Sequence, residues 1–455
     1  MQQTGKTSLF AVAVAASAAT AGLLFGYDVA VFNGALVFLR AEFHLGSVPT
    51  EILTTMLFVG CAAGAAIGGW ASDRYGRRVV LFIAGVLFCA AALSATFSMH
   101  LWHLMAASMF AGMAVGAAVL IAPMYIAEIA PAHKRGMLVT LNQLAIVSGI
   151  LVGFVVNYEL AVLVHGNWRL MFFLGALPAV VLCVSMVRIP ESPRWLLQQG
   201  QRERASVVLQ KISPGTDVES TIDEIGKAIR EESGTYRELL GRALRKPLML
   251  AVMLAIIQQV TGVNTVMYYG AIIFAEHAGA SATQAIGMNV IVGVVNVVAT
   301  ILGLLLIDKL GRRPLLLTAT GGMALSLVAF ASMLTYMSNH AALLLTAVLG
   351  YVAFYAFGLG TGVWVCLSEL FPNRIRGRAM SIANMVLWAT LSCVTATFLS
   401  LIKMFTASGV FLGYALLCTA SFVYILARLP ETKNRTLEEI ESSWLRKDAI
   451  DAPVV

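Results

Sequence analysis

Long apolar segments separated by short polar ones make up most of this chain. Each apolar segment reaches the length of about 20 residues that a helix needs to cross the hydrocarbon core of a bilayer. Closed β-barrels would show short segments of alternating hydrophobicity instead. The first segment is too long for the apolar core of a cleaved signal peptide, so we expect it to be retained as the first span. The pattern predicts an all-α membrane protein with twelve spans, at about 8–38, 51–71, 79–99, 102–127, 137–158, 168–187, 247–275, 284–306, 314–337, 341–367, 379–403 and 407–428.

Composition and charge distribution agree with this prediction. Of the 455 residues, 59% are hydrophobic and 12% are charged, a balance that excludes a soluble domain of this size. With both termini in the cytoplasm, every Lys and Arg except Arg40, Arg169 and Lys403 lies in a cytoplasmic segment, as the positive-inside rule requires. We therefore expect a multi-pass plasma-membrane protein. Its net charge of +7 is explained by Lys and Arg residues that lie near the anionic lipid headgroups, so we expect the lipid bilayer and not nucleic acid as partner. The short exterior loops favour a bacterial inner membrane.

The motifs of the polar segments occur twice along the chain. The sequence DRYGRR at 73–78 returns as DKLGRR at 308–313, and PES at 190–192 returns as PET at 430–432. A third motif, a glutamate followed seven residues later by Arg-Gly, occurs at Glu128 and again at Glu369. Similar offsets for three motifs indicate two parallel repeats. The repeats predict two six-helix halves, with short amphipathic cytoplasmic helices between them and a cytoplasmic tail after them, bounded as 1–187, 188–246, 247–428 and 429–455.

Acidic and basic residues at the ends of the predicted helices form a candidate cytoplasmic gate. Opposite charges there would pair across the seam between the halves when the inside is closed and separate when it opens. Simple positive-inside anchoring is the alternative, although anchoring requires cations alone and does not need acids at matching offsets. The candidate gate residues are Asp73, Arg77, Glu128, Arg135, Glu191, Asp308, Arg312, Glu369, Arg376 and Glu431.

Asp28 is the acidic residue placed deepest in an apolar segment, within the first predicted span. A carboxylate in the hydrocarbon region costs a few kcal/mol or more on insertion scales, so it is expected to face a cavity or a partner and to have a function. The alternative is an aspartate that neighbouring hydroxyl or backbone groups satisfy.

Taken in order, the motifs resemble those of the sugar porter family of the major facilitator superfamily. Besides the two Gly-Arg-Arg motifs, the resemblance includes PMYIAEIAPAHKRG (123–136), PESPRWL (190–196), QQVTGVNTVMYY (258–269), SELFPNRIRG (368–377) and PETKN (430–434), and it covers about 8–440. It implies the major facilitator fold, with twelve helices in two six-helix bundles and a cytoplasmic helical segment between them. It also implies a monosaccharide as substrate, alternating access around a central polar pocket, and no cofactor beyond a coupling proton.

Amide and aromatic side chains within the spans are candidates for binding the sugar. A carboxamide offers both a donor and an acceptor to a hydroxyl without the desolvation penalty of a charge, and an indole or phenyl ring offers a flat apolar face. Hydrogen bonding between helices is the alternative role for an intramembrane amide. For Asn296, this role and sugar binding are both open. The candidates are Phe25, Gln143, Gln258, Gln259, Asn264, Tyr268, Asn296, Trp364, Asn384 and Trp388. The resemblance places Gln143, Gln258, Gln259, Asn264, Asn296 and Trp364 at sugar-contacting positions.

The chain departs from the family pattern at three places. The tenth span reads Gly360-Thr361-Gly362 where the family usually has Gly-Pro, and Leu387 precedes Trp388 where the family usually has an amide. Asn384, three residues earlier on the same helix face, is a substitute for that amide. The pattern leaves hexose, pentose and polyol as alternative substrates.

The third departure concerns proton coupling. Proton-coupled family members resemble this chain in having Phe-Gly-Tyr-Asp in the first span, here ending at Asp28, whereas an arginine normally found in the fourth span is Ser108 here. If Asp28 titrates near ambient pH, the protein is a sugar–proton symporter with Asp28 and Ser108 at the proton site. If Asp28 stays protonated, the protein is a facilitative uniporter.

Other classes of function are less favoured. A non-transporting sugar sensor would be expected to have a long cytoplasmic tail, and the predicted tail is short. The spans contain no nucleophile–base pair or phosphate-binding loop, so we do not expect an enzyme. The six cysteines lie within spans without a CxxC pair, which indicates neither disulfides nor a metal site. We expect the monomer to be functional.

Overall fold

The computed structural model describes residues 9–131, 134–164, 166–214, 217–231, 236–277, 279–337, 340–371, 373–431 and 433. Every regular element in these ranges is helical. The helices before the linker are α1 (Leu9–Glu42), α2 (Ser47–Tyr75), α3 (Arg77–Thr96), α4 (Leu101–Ile129), α5 (Arg135–Leu163), α6 (Trp168–Leu174) and α7 (Ala176–Arg188). Those after it are α12 (Arg242–Val260), α13 (Val263–His277), α14 (Ala282–Leu310), α15 (Arg312–Tyr336), α16 (Ala341–Phe354), a π-helical turn (Tyr355–Leu359), α17 (Gly360–Glu369) and α18 (Asn373–Arg428).

The linker contains the short helices that its amphipathic pattern predicts. They are α8 (Pro193–Gln198), α9 (Arg202–Ile212), α10 (Val218–Glu231) and α11 (Tyr236–Leu239). The side chain of Ser192 accepts a hydrogen bond from the Trp195 N–H and so caps the first of them.

Breaks within the long helices account for the number of spans. By length and composition, eleven helical stretches of the described chain qualify as membrane spans, and the last of them covers Gly377–Arg428. That stretch is too long for a single crossing, and Thr406 interrupts it with φ 64° and ψ 160°. The Thr406 hydroxyl accepts from the Gly409 N–H at 3.3 Å, which caps the start of a separate helix. The twelve predicted spans are therefore present.

The chain forms two compact units. The first comprises Met1–Ile229 with Met267–Ala275 and Ala280–Gly293, and the second comprises Arg230–Val266, Glu276–Gly279 and Val294–Val455. Part of α13 thus belongs to the first unit although its sequence follows the linker. The domain boundaries at 187, 247 and 428 stay predictions.

Glycines bring helices α2 and α4 of the first unit into backbone contact. A β-carbon on any of the four glycines at this contact would overlap a backbone carbonyl oxygen of the opposite helix. On Gly112 it would overlap the carbonyl of Leu57, and on Gly64 it would overlap the carbonyl of Met113. Small residues four apart are the usual means of close helix approach in a membrane, where packing and not water exclusion drives association. The two pairs are Gly60 with Gly64 on α2 and Gly112 with Gly116 on α4.

Gly112→Ala is expected to destabilise the protein by about 1–3 kcal/mol, because the added methyl group forces the α2 and α4 backbones apart. Gly413→Ala is the matched control, since a β-carbon there meets nothing within 4 Å. Thermal unfolding in detergent should show a lower midpoint for the first variant and an unchanged or slightly higher one for the second. Equal midpoints for the two variants would contradict the close approach.

Candidate functional site

Asp28 lies in the interior of the first unit, in the middle of α1. It is only 3% exposed, and its Oδ2 makes no hydrogen bond within the described part of the chain. The Cys61 thiol and the Tyr268 hydroxyl are close enough to interact with it electrostatically. Asp28 and Ser108 line one small cavity, and the Ser108 hydroxyl donates to the carbonyl of Leu104 at 2.8 Å. Asp28 therefore combines deep burial with an oxygen that the described side chains do not satisfy.

Among the described residues, no cation lines the cavity beside Asp28. The described residues that line the cavity with Asp28 and Ser108 are alanine, valine, phenylalanine and glycine, contributed by α1, α3, α4 and the α6–α7 region. The position that carries arginine in the resembling family is therefore neutral and small in this protein. An ionised Asp28 has no opposite charge there to offset its desolvation.

Two asparagines fix α1 in the turns that follow Asp28, and the sequence analysis did not single them out. Asn157 on α5 donates to the carbonyl of Ala30. The Asn33 amide nitrogen donates to the carbonyl of Met267 at 2.8 Å, and its oxygen accepts from the Ala271 N–H at 3.2 Å. The Asn33 carboxamide thus bonds to two residues of α13 that lie four positions apart. An amide inside a span was the available signal, because such groups bond between helices.

Amides of the second unit cluster at the break between α12 and α13. Gln258 donates from its amide nitrogen to the carbonyl of Leu359 at 3.2 Å, while its Oε1 has no partner among the described residues. Gln259 accepts at Oε1 from the Asn264 amide at 2.6 Å. Gln258 and Gln259 are 3% and 4% exposed. The structure thus brings three predicted sugar-binding residues together and shows that one of them also bonds another helix.

A tyrosine missed in the sequence analysis holds this break in place. The Tyr351 hydroxyl, fully buried on α16, donates to the carbonyl of Thr261 at 2.6 Å. That carbonyl lies next to Gly262, whose φ of 84° ends α12. The glycine is packed so closely on the Tyr414 ring that a β-carbon would lie 2.7 Å from it. The sequence showed only an aromatic residue in an apolar span, which predicts core packing.

The other sugar-binding candidates are divided between the two units. In the first unit, Tyr268 is fully buried, and Phe25 and Gln143 are half-buried. In the second unit, Asn296, Asn384 and Trp388 are buried and Trp364 is half-buried. Their grouping around one central pocket stays a prediction.

The tenth span contains a π-helical turn. The turn covers Tyr355–Leu359 and comes directly before Gly360-Thr361-Gly362, the segment where the resembling family usually has Gly-Pro. A π-turn shifts backbone bonding from i+4 to i+5 and is frequent at functional sites. The carbonyl of Leu359, at the end of this turn, is the group that accepts from Gln258.

Four of the predicted gate residues form a charged cluster in the first unit. Arg77 is 3% exposed and contacts Glu128 with two nitrogens, at 3.1 Å from Nε and 3.2 Å from Nη2. Arg77 also pairs with Asp73 at 3.2 Å. Glu191 accepts from the backbone N–H groups of Arg77 and Arg78 at the start of α3, where the helix dipole favours an anion. Burial raises the pKa of the Glu191 carboxyl, against the opposing effect of these N–H groups.

The same arrangement recurs in the second unit. Arg312 contacts Glu369 at 3.1 Å from Nε and 2.8 Å from Nη2, and it pairs with Asp308 at 2.9 Å. Glu431 accepts from the backbone N–H groups of Arg312 and Arg313 at 3.0 and 3.1 Å. Each cluster joins helix ends of a single half.

The remaining gate candidates are less constrained. Arg135 is exposed at the start of α5, and the side chain of Arg376 lies outside the described residues. The latch across the seam stays a prediction, since it concerns contacts between the halves.

Gly76→Ala is expected to lower the unfolding midpoint more than Gly200→Ala. Both glycines have positive φ, at 99° and 72°, so an alanine costs roughly 1–3 kcal/mol of backbone strain at either site. A β-carbon on Gly76 would also overlap the Glu191 carboxylate, whereas one on Gly200 meets nothing within 4 Å. Thermal unfolding of the two variants measures the difference. Equal losses would show that Glu191 does not hold the start of α3.

Comparison with known proteins identifies the family. The family model described as "Sugar (and other) transporter" matches residues 14–444. The chain is 35% identical over 439 residues to a D-xylose transporter of Levilactobacillus brevis, covering 95% of this chain and 96% of the relative. It is 32% identical to the arabinose-proton symporter of Bacillus subtilis, covering 96% of each.

Solved structures agree with these relatives. The xylose transporter XylE of E. coli in a partially occluded inward open conformation matches with a TM-score of 0.83 and 31% identity, over 94% of this chain and all of that one. The proton:xylose symporter XylE bound to 6-bromo-6-deoxy-D-glucose matches with a TM-score of 0.81 and 33% identity, over 96% of this chain and 99% of that one. The predicted major facilitator fold, with two six-helix bundles, is thereby confirmed. The chain belongs to the sugar transporter family, and within it to the sugar porters of the major facilitator superfamily.

Proposed function

We propose that this sugar transporter carries a monosaccharide together with a proton, and that Asp28 carries the proton. The observation that supports this most is the burial of an Asp28 oxygen without a hydrogen-bond partner among the described residues. The relatives named as an arabinose-proton symporter and a proton:xylose symporter agree with proton coupling. Proton coupling requires a group whose protonation changes during the transport cycle, and a titrating carboxyl is such a group.

The absence of a cation in the Asp28 cavity explains how protonation would couple to transport. An ionised carboxylate in this setting has neither a positive charge nor a described donor to stabilise it. Conformations that keep Asp28 buried are therefore favoured by protonation, and conformations that admit water tolerate the charge. A proton taken up on one side would then be released on the other, together with the sugar.

A facilitative uniporter is the second candidate function. It follows if Asp28 remains protonated throughout the cycle, because a permanently neutral carboxyl carries no proton across the membrane. The same cavity supports this alternative, since a neutral acid is well suited to surroundings of alanine and phenylalanine. The two candidates differ in one observable, which is the response of sugar uptake to a pH gradient.

We assign sugar binding to the amide cluster at the α12–α13 break. The Oε1 of Gln258, which has no partner among the described residues, can accept from a sugar hydroxyl, and the Gln259 amide nitrogen can donate to one. Relatives of this chain are named for D-xylose, arabinose and myo-inositol, so these two pentoses, this cyclic polyol and D-glucose form the panel for a first binding assay. We further propose a bacterial inner-membrane location with both termini cytoplasmic, a functional monomer, and the two charged clusters as parts of a cytoplasmic gate.

Asp28→Asn is expected to abolish uphill sugar accumulation while leaving sugar exchange intact. The asparagine keeps the shape of the side chain but cannot gain or lose a proton. Proteoliposomes with an imposed pH gradient measure accumulation, and counterflow without a gradient measures exchange. Asp217→Asn, at an exposed acid of the linker, should behave like the wild type. Uphill accumulation that survives Asp28→Asn would contradict the proposed proton site. Wild-type uptake that does not respond to the pH gradient would favour the uniporter.

Gln259→Ala is expected to weaken sugar binding by about tenfold, the equivalent of one hydrogen bond of about 1.4 kcal/mol. Gln284→Ala provides a matched amide control, because Gln284 bonds with Ser281 at the start of α14 and is not a binding candidate. Isothermal titration in detergent with the panel of sugars gives the dissociation constants. An unchanged constant for Gln259→Ala would remove this residue from the binding site.

A further inference from the structure

A small cavity adjoins the Asp28 carboxyl inside the first unit. Its volume is about 10 Å³, which on this measure is close to the least space that holds one water molecule. Its walls come from α1, α3, α4 and the α6–α7 region, and the α3 wall consists of Phe88 and the small residues Ala91, Ala92 and Ala95. The cavity therefore has room for one water molecule at most and is too small to bind a sugar.

Asp28 and Ser108 are the two residues of the lining whose side chains carry oxygen. The Ser108 hydroxyl hydrogen is engaged with the Leu104 carbonyl at 2.8 Å, so this oxygen presents lone pairs to the cavity. Ionised Asp28 also presents lone pairs, and its Oδ2 has no described partner. Two acceptors cannot bond each other, but one molecule with two O–H groups can donate to both. A metal cation would need several more oxygen ligands than these two.

We propose that a water molecule bound between Asp28 and Ser108 is the immediate proton donor and acceptor of Asp28. Proton uptake breaks one O–H bond of a hydronium ion in the cavity and forms one O–H bond at the Asp28 carboxylate, leaving water. In release the carboxyl O–H bond breaks and the water becomes hydronium. The hydronium passes its extra proton to bulk water, and the remaining water donates to the carboxylate and to Ser108. This inference rests on the proposed symport, which gives Asp28 a proton to exchange.

The other groups around Asp28 are less suited to this role. Cys61 on α2 and Tyr268 interact with it electrostatically, and Tyr27 on α1 donates its hydroxyl to the carbonyl of Met171 at 3.2 Å. The walls from α3 and α4 contribute no ionisable side chain among the described lining residues. A thiol or a phenol would need a strong base to pass on a proton, whereas water exchanges protons readily in either direction.

Infrared difference spectroscopy between acid and neutral pH tests the water directly. The C=O band of protonated Asp28, identified by its loss in Asp28→Asn, should move to higher wavenumber in Ala91→Val, because the added methyl groups displace the water that bonds to the carboxyl. Ala90→Val is the matched control, since Ala90 is exposed on the same helix whereas Ala91 is 4% exposed. Ser108→Ala, a smaller side chain that is expected to fold, removes the second partner of the water and should shift the band in the same direction.

The transport arm uses the same variants in proteoliposomes. Ala91→Val and Ser108→Ala should slow accumulation driven by a pH gradient by about tenfold, the equivalent of one lost hydrogen bond of about 1.4 kcal/mol. Counterflow exchange by Ala91→Val at acid pH should remain at the wild-type rate, because Asp28 is then already protonated. Ala90→Val should match the wild type in both assays.

Three outcomes would overturn the proposal. The first is a C=O band that stays in place in both Ala91→Val and Ser108→Ala. The second is an unchanged rate of gradient-driven accumulation in both variants. The third is a C=O band that shifts when K⁺ is replaced by Na⁺, combined with sugar accumulation that requires Na⁺. That result would show that a cation occupies the cavity. If the wild type fails to accumulate sugar, the proposed symport is contradicted, while the infrared band still decides whether the water is bound.

Discussion

Hydrocarbon surroundings leave a polar side chain with no solvent partner, and this constraint governs the interior of the protein. Most buried polar groups meet it by bonding to backbone, as Asn33 does with Met267 and Ala271 and as Tyr351 does with Thr261. Asp28 Oδ2 and Gln258 Oε1 are two buried oxygens that lack a partner within the described residues. We regard such oxygens as the positions where a proton and a sugar hydroxyl complete the hydrogen bonding.

The same local solution stabilises the helix ends in both halves. A glycine with positive φ starts a helix at Gly76 and at Gly311, and a glutamate accepts from the first N–H groups of that helix in each case. An arginine next to each glycine then binds a second glutamate with two nitrogens. Burial strengthens these charge-assisted bonds, and the cost of desolvating the charges is met by several donors at once. Each half therefore has a rigid charged end of its own.

The sequence was sufficient to predict the spans, the repeat and the charged motifs, because hydropathy, spacing and charge are properties of the linear chain. It also predicted Gln258, Gln259 and Asn264 as sugar-binding candidates, and the structure brings them together because they lie close in sequence. It did not predict the π-turn at Tyr355–Leu359, which packs against Gly303 of α14 and Ala319 of α15, because contacts between distant segments cannot be read from the linear chain. Nor did it show that Ser108 bonds its own helix, because the direction of a hydroxyl hydrogen depends on local geometry.

Proton coupling at Asp28 is the central claim of this account. It is tested most directly by measuring proton entry during sugar uptake, with a pH-sensitive dye trapped inside proteoliposomes and no imposed gradient. We predict that sugar added outside acidifies the interior, with one proton entering for each sugar, and that Asp28→Asn takes up sugar without acidification. Sugar uptake by the wild type with no change of internal pH would contradict the account.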